Sequence, residues 1–247
     1  MKMPPIAFFA LFAVVLTWIA VYGHQAAKKR RAALQAWAES AGYEYNPDRE
    51  RADPPFASLR RGSNRYLKDR FTGVLPEAVP GLEAARVELF EYHYEVDTGS
   101  NDHRSNTDYY LTCVLIDAQI PFGKVRVESE GMFDRIVQSM GFEDIDFDHS
   151  EFSKAFKVTS PEPRQAHDLL GTELMDLLLA SRPWELETQD HAMLLWRRGK
   201  PKLDDFAKAD RLARSVLASL PRLLVNMERE RRGLPPEIQA GAAALDD

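Results

Sequence analysis

The sequence has almost no cysteine: Cys113 stands alone among 247 residues. That excludes an intramolecular disulfide and any zinc centre built on several thiolates, and it fits a reducing compartment. Cys113 falls in the apolar run from Tyr109 to Ile116, where a thiol behaves as a small hydrophobe with a raised pKa. No histidine or helix start lies close in sequence to stabilise a thiolate nucleophile. Catalytic signatures are missing as well. There is no G-x-S-x-G elbow, no glycine-rich phosphate loop and no dinucleotide fingerprint. The histidines at 24, 93, 103, 149, 167 and 191 include no i, i+4 pair that would place two imidazoles on one helical face. No catalytic residue and no cofactor is assigned on this basis.

Acidic residues are absent from the first 31 positions, which hold Lys2, Lys28, Lys29, Arg30 and Arg31. Between these cations runs IAFFALFAVVLTWIAVY, Ile6 to Tyr22, uncharged and with Thr17 as its only plainly polar side chain. Such a run can sit in hydrocarbon. At about 1.5 Å per residue it covers roughly 25 Å, the short end of what crosses a core of about 30 Å. Trp18 and Tyr22 fall near its end, where amphipathic rings favour the headgroup level. No small-x-small cleavage site follows at Tyr22 to Gln25, so a retained anchor is favoured over a cleaved signal. Four cations after the span, against Lys2 and the amino terminus before it, place the C-terminal side in the cytoplasm by the positive-inside rule. The expected location is therefore the plasma (inner) membrane, single-pass, with the bilayer contacted through residues 6–22 and lipid headgroups through Lys28, Lys29, Arg30 and Arg31.

Beyond residue 31 the chain carries 27 basic against 38 acidic groups, a net of −11. An acidic domain of this kind is not a nucleic-acid binder, because such binding draws most of its affinity from neutralising phosphates. The 45% hydrophobic content supports one sizeable core behind the anchor. The organisation reads as a transmembrane anchor over 1–24, a juxtamembrane helix over 25–45, a globular domain over 46–232 and a flexible tail over 233–247.

Within the domain, helical spacing of Leu34, Trp37, Ala38 and Ala41 predicts a helix stopped by Gly42. Prolines at 47, 54 and 55 mark a loop. A short helix and turn are placed around Ser63 to Gly73. Strand alternation begins near Arg86, with a change of phase at Leu89–Phe90 of the kind a β-bulge produces. The polar stretch 97–106 is a hairpin loop. Thr107 to Ala118 is apolar on both faces, as a central strand is. Further strands are expected at 124–128 and 156–159, and a hairpin over 184–187 and 192–197. Helices are expected at 132–140, 161–180 and 203–232, the last kinked or divided at Pro221. The fold class is α+β: an N-terminal transmembrane helix, then one domain with an antiparallel sheet of about five to seven strands covered by helices.

Two clusters carry chemistry. Asp144, Asp146, Asp148 and His149, within the acidic stretch 143–151, have the alternation that converges on a hard cation. An EF-hand loop beginning at Asp144 would need glycine sixth and glutamate twelfth, where His149 and Ala155 stand. Ile145 and Phe147 alternate with the acids, so the favoured reading is a solvated edge with its apolar side chains inward, and the metal site is the alternative. The tyrosines at 92, 94, 109 and 110 form an aromatic strip on paired strands, for which packing within the core is the favoured reading; the alternative is a ligand or partner site using Tyr92, Tyr94, Tyr109 and His93.

Phe90-Glu91-Tyr92-His93-Tyr94, then Pro121, then the run Gly141 to Asp148, with Phe152-Ser153 and Phe156 to Val158, resembles a family of bacterial proteins that have one N-terminal membrane helix and no assigned function. The resemblance spans roughly residues 33 to 200. It implies a bacterial origin and an anchor kept in the mature protein, and it supplies no catalytic residue. The function expected is a non-catalytic interaction or scaffold module with an unknown protein partner at the inner face of the membrane. The alternative is a membrane-tethered hydrolase or metal-binding enzyme using the acidic stretch 143–151.

Overall fold

The computed structural model describes residues 5–76, 84–99, 105–129 and 143–236, with the side chains of 5–14, 19, 20, 143 and 144 outside that description. The first element is a single helix, α1 (Pro5–Ala41). The apolar run thus continues without a break into the helix expected within 25–45, which ends at Ala41, before Gly42 as expected. Gly42 stops it with φ +79, and the Tyr43 N–H donates to the Ala38 carbonyl at 2.8 Å. A left-handed glycine followed by this bond is a Schellman ending. The second half of α1 belongs to the domain: Leu34 and Ala38 are fully buried in its core, so the domain boundary falls inside the helix and not at 46. Among the described residues, no helix is long and apolar enough to cross a membrane; most side chains of the expected span 6–22 lie outside that set.

The strands are β1 (Glu44–Asn46), β2 (Glu50–Arg51), β3 (Ser63–Leu75), β4 (Ala85–Asp97), β5 (Asn106–Asp117), β6 (Arg126–Ser129), β7 (Glu143–Asp144), β8 (Phe156–Ser160), β9 (Glu185–Gln189) and β10 (Ala192–Arg198). They form one antiparallel sheet in the order β1-β3-β4-β5-β10-β9-β6-β8-β7, with β2 added on β3. β5 is central, paired with β4 on one side and β10 on the other. Ten strands exceed the five to seven expected, because β1, β2 and β7 are only two or three residues long. Segments so short carry no readable alternation.

Alternation sorts the core into two clusters, one on each face. Val87 and Leu89 of β4, Val114 and Ile116 of β5, and Met193 and Leu195 of β10 belong to the larger one. It lies beneath α1 and α5 (Leu203–Ala218), where Trp37 packs on Phe71 and Phe71 on Phe206 with ring centroids 5.0 and 4.6 Å apart. Phe90, Tyr92 and Tyr94, with Leu111, Cys113, Leu194 and Trp196, belong to the smaller. A strap around the single 3-10 turn Ala57–Leu59 adds Phe56 and Leu59 to it. Cys113 is fully buried there, and burial pushes its thiol pKa well up.

Three expectations change. Ser63 to Gly73 is the long strand β3, not a helix and turn; register shifts at Ser63/Tyr66 and Lys68/Phe71 break its alternation. The register of β4 on β5 runs without interruption from Arg86 to Asp97, so no bulge lies at Leu89–Phe90. These two residues face opposite ways and both are buried. The helix expected over 161–180 is two, α3 (Pro163–Leu169) and α4 (Thr172–Ala180). They are divided at Gly171, where Pro221 approaches so closely that an added Cβ would lie 3.2 Å from its ring. A one-and-a-half-turn helix, α2 (Ser150–Ala155), follows the acidic stretch. Pro221 does divide the last helix, leaving α6 (Arg222–Arg231) after α5. The helix expected at 132–140 and the tail from 237 lie outside the described residues.

Candidate functional site

The bulge between Lys68 and Phe71 gives Asp69 a left-handed φ of +50 and places its carboxylate under α1, fully buried. Arg30 Nη1 donates to one oxygen at 2.5 Å, and the Tyr45 hydroxyl donates to the other at 2.6 Å. Burial, then the bond to Asp69, pushes the Tyr45 phenol well up. Arg30 is therefore a tie between helix and sheet rather than a headgroup contact. Lys28, Lys29 and Arg31 are exposed, as the headgroup reading requires of them. Beside this tie, Glu91 is 1% exposed, its Oε2 has no hydrogen-bond partner, and burial raises its pKa despite the charges of Lys200 and Lys68.

The acidic stretch lies along an open groove of about 580 Å³ lined by Asp146, Phe147, Asp148, His149, Glu151, His167 and Met175, among others. Ile145 is buried and Phe147 packs against the core, whereas Asp146 and Asp148 are exposed. Among the described residues these side chains do not bring their ligand atoms together; the Asp144 side chain lies outside that set. His149 is internally occupied. Its Nδ1 accepts the Phe152 N–H at 3.3 Å, as the N-cap of α2, and its Nε2 lies 2.9 Å from Asp176 Oδ1. An Nδ1 that accepts leaves the proton on Nε2, which donates to Asp176, so the neutral ring has no lone pair to give a metal.

The tyrosine strip is split by the pleat. Tyr92, Tyr94 and Tyr109 lie on the strap-covered face, with Tyr94 stacked on Tyr109 at 5.1 Å and the Tyr92 hydroxyl donating to the Leu59 carbonyl. Tyr92 and Tyr94 are core residues. His93 faces the other way, toward the α1 side, between Tyr66 at 4.4 Å and Tyr110 at 4.9 Å. It is 3% exposed. Its Nε2 lies 2.8 Å from Asp108 Oδ1 and its Nδ1 lies 3.3 Å from the Asn64 carbonyl. Register pairing puts Glu95 opposite Asp108, and one ligand atom from each of His93, Glu95 and Asp108 lies within 4.8 Å of the others. Trp37 lies on Phe71 and Arg30 on Asp69, so α1 leaves the sheet toward the end that carries Tyr66 and His93.

One constellation escaped the sequence reading. Glu128, Glu185 and Glu187 are buried on the strap-covered face of β6 and β9. Glu187 accepts from the backbone N–H groups of Ala57 and Ser58 at 2.7 and 3.0 Å and from the Ser58 hydroxyl. Glu128 accepts from Arg126 at 2.7 Å and Arg61 at 3.1 Å, and Glu185 from the Ser129 N–H at 3.2 Å. Burial raises the pKa of Glu128 and Glu185. Glu187 and Glu128 pin the strap to the sheet, and Glu185 ties β9 to β6. Their signal was alternation with Val127 and Leu186, the pattern of a half-exposed strand, and the strap that covers them lies about 130 residues away in sequence. Arg126, whose Nε–H has no partner, lines a cleft of about 220 Å³ with Arg60, Lys124, Thr159 and Glu187.

No family model matches the chain, and neither a curated protein nor a solved structure matches it.

Proposed function

We propose that the chain is a membrane-tethered, non-catalytic interaction module, carried on a single pass with its acidic domain on the cytoplasmic side. The observation that carries this reading is the continuity of α1. One helix runs from the uncharged stretch into the domain core, about 55 Å in all, with Leu34 and Ala38 packed and Arg30 bound to Asp69. A hinge-free joint of this kind sets the height and tilt of a domain over the surface its helix enters. Burying a side chain such as Leu34 contributes about 2 kcal/mol, and the Arg30–Asp69–Tyr45 bonds add to it. The non-catalytic part draws on the site chemistry: Glu128, Glu185, Glu187 and His149 are hydrogen-bonded within the chain itself. The resemblance to single-pass bacterial proteins agrees with the same reading.

Alkaline-carbonate washing of membranes from expressing cells, followed by protease treatment of intact spheroplasts, tests it. The domain is expected in the washed membrane fraction and resistant to protease until the cells are opened. Recovery in the soluble fraction, or digestion from outside, would overturn the placement. Inserting three glycines after Ala27 is expected to leave membrane retention intact while uncoupling domain from anchor, read as a loss of fixed domain height by fluorescence transfer to labelled lipid.

A further inference from the structure

We propose that His93, Glu95 and Asp108 form a binding site for a divalent cation of the zinc class. The imidazole decides it. A neutral histidine has one N–H and one lone pair, yet both ring nitrogens of His93 face acceptors: Nδ1 the Asn64 carbonyl at 3.3 Å, Nε2 the Asp108 carboxylate at 2.8 Å. If Nδ1–H donates to Asn64, the Nε2 lone pair points at an anion. If Nε2–H donates to Asp108, the Nδ1 lone pair points at a carbonyl oxygen. The ring is 3% exposed, so little of either clash is open to bulk water.

A cation between Nε2 and the carboxylates resolves it. The metal takes the Nε2 lone pair while Nδ1–H donates to the Asn64 backbone, which is how metal-bound histidines are held by their second nitrogen. The ligand atoms lie within 4.8 Å of one another, so small side-chain rotations bring them to the roughly 3.4 Å spacing of a tetrahedral ion bound at about 2.0–2.2 Å. The carboxylates are oriented too: Glu95 accepts from the side-chain amides of Asn64 and Asn106 at 2.5 and 3.1 Å. Tyr66 and Tyr110 hold the ring plane. Asp108 is 58% exposed and gives the ion its way in. One imidazole with two carboxylates suits zinc and its first-row neighbours, whereas calcium and magnesium take oxygen ligands alone. The competing resolution is an imidazolium that donates from both nitrogens and needs no metal.

Calorimetric titration of zinc chloride into the metal-free full-length protein in detergent, near pH 7.5, separates the two. One saturable site is expected. His93→Gln, Glu95→Gln and Asp108→Asn are each expected to weaken it by about tenfold or more, on the scale of a lost ligand or ligand support, and His149→Gln to leave it unchanged. Nitrogen-15 spectra of the imidazoles are expected to show His93 as the neutral Nδ1–H tautomer once zinc is bound. Absence of saturable binding, affinity unaltered in Asp108→Asn, or a doubly protonated His93 at saturating zinc would each overturn the site. Asp108→Asn alters an exposed side chain, so it remains informative even if His93→Gln unfolds the domain. The result is independent of whether the chain enters a membrane.

Discussion

His149 and His93 each sit beside a carboxylate at 2.8 to 2.9 Å, and they differ in what the other ring nitrogen meets. At His149 it meets an N–H donor, the first turn of α2, and every polar requirement is satisfied by the chain. At His93 it meets a second acceptor. The acidic stretch beside His149 has more carboxylates and lines an open groove, yet its imidazole is satisfied within the chain; the hairpin with two carboxylates is the one whose imidazole faces two acceptors. The number of acids along a sequence does not by itself mark a cation site. The number of donors that converge on each acceptor is what separates a structural polar cluster from a binding one.

The contrast is testable at several strengths. Its strongest test is Glu187→Ala, which strips three strap donors of their acceptor at an internally satisfied site. A loss of about 3 kcal/mol in urea unfolding is expected, with no recovery on adding any metal. Next comes zinc itself: at a hundredfold excess over its dissociation constant it should stabilise the domain by about 2.7 kcal/mol. That gain, read as a rise in Tm, should vanish in Asp108→Asn and persist in His149→Gln. His149→Ala should cost about 1 kcal/mol through the lost N-cap, and it should not alter zinc affinity. The smallest effect is expected at Glu91. Its folded pKa lies above the ordinary 4.5, so the folded state holds the proton more tightly than the unfolded one. Stability then falls as pH rises from about 4.5 through the raised value and is level above it. Glu91→Gln should flatten part of that slope in urea melts between pH 4 and 8. The share due to Glu128 and Glu185, which have the same sign, should remain.

Much of the fold was legible because burial leaves a local periodic trace. Apolar residues on both faces of 107–118 mark β5 as central, and the hairpin expected over 184–187 and 192–197 is β9 and β10, turning at Asp190 with φ +55. Pro221 divided the last helix as its missing N–H requires. β3 was lost because two register shifts scramble the period on which strand recognition depends. Tyr92 and Tyr94 pack in the core, as aromatics on paired strands do, and the pleat sets His93 apart from them. Adjacent residues in a strand face opposite ways, so His93 and Tyr92, neighbours in the chain, belong to different sides of the sheet.

By itself the sequence determined the uncharged run and its basic flank, the exclusion of disulfides and thiolate metal centres, the α+β class, and the order of most strands and helices. All of these depend on composition or on spacing within a few residues. Tertiary structure decided which acids are bonded and which are not. Ser58 meets Glu187 across 129 positions, Arg30 meets Asp69 across 39, and Asn64 meets His93 across 29. A hydrogen bond needs its partner within about 3 Å, and only chain folding brings such distant residues that close. The tautomer of a histidine, and with it the capacity to bind a cation, is settled there.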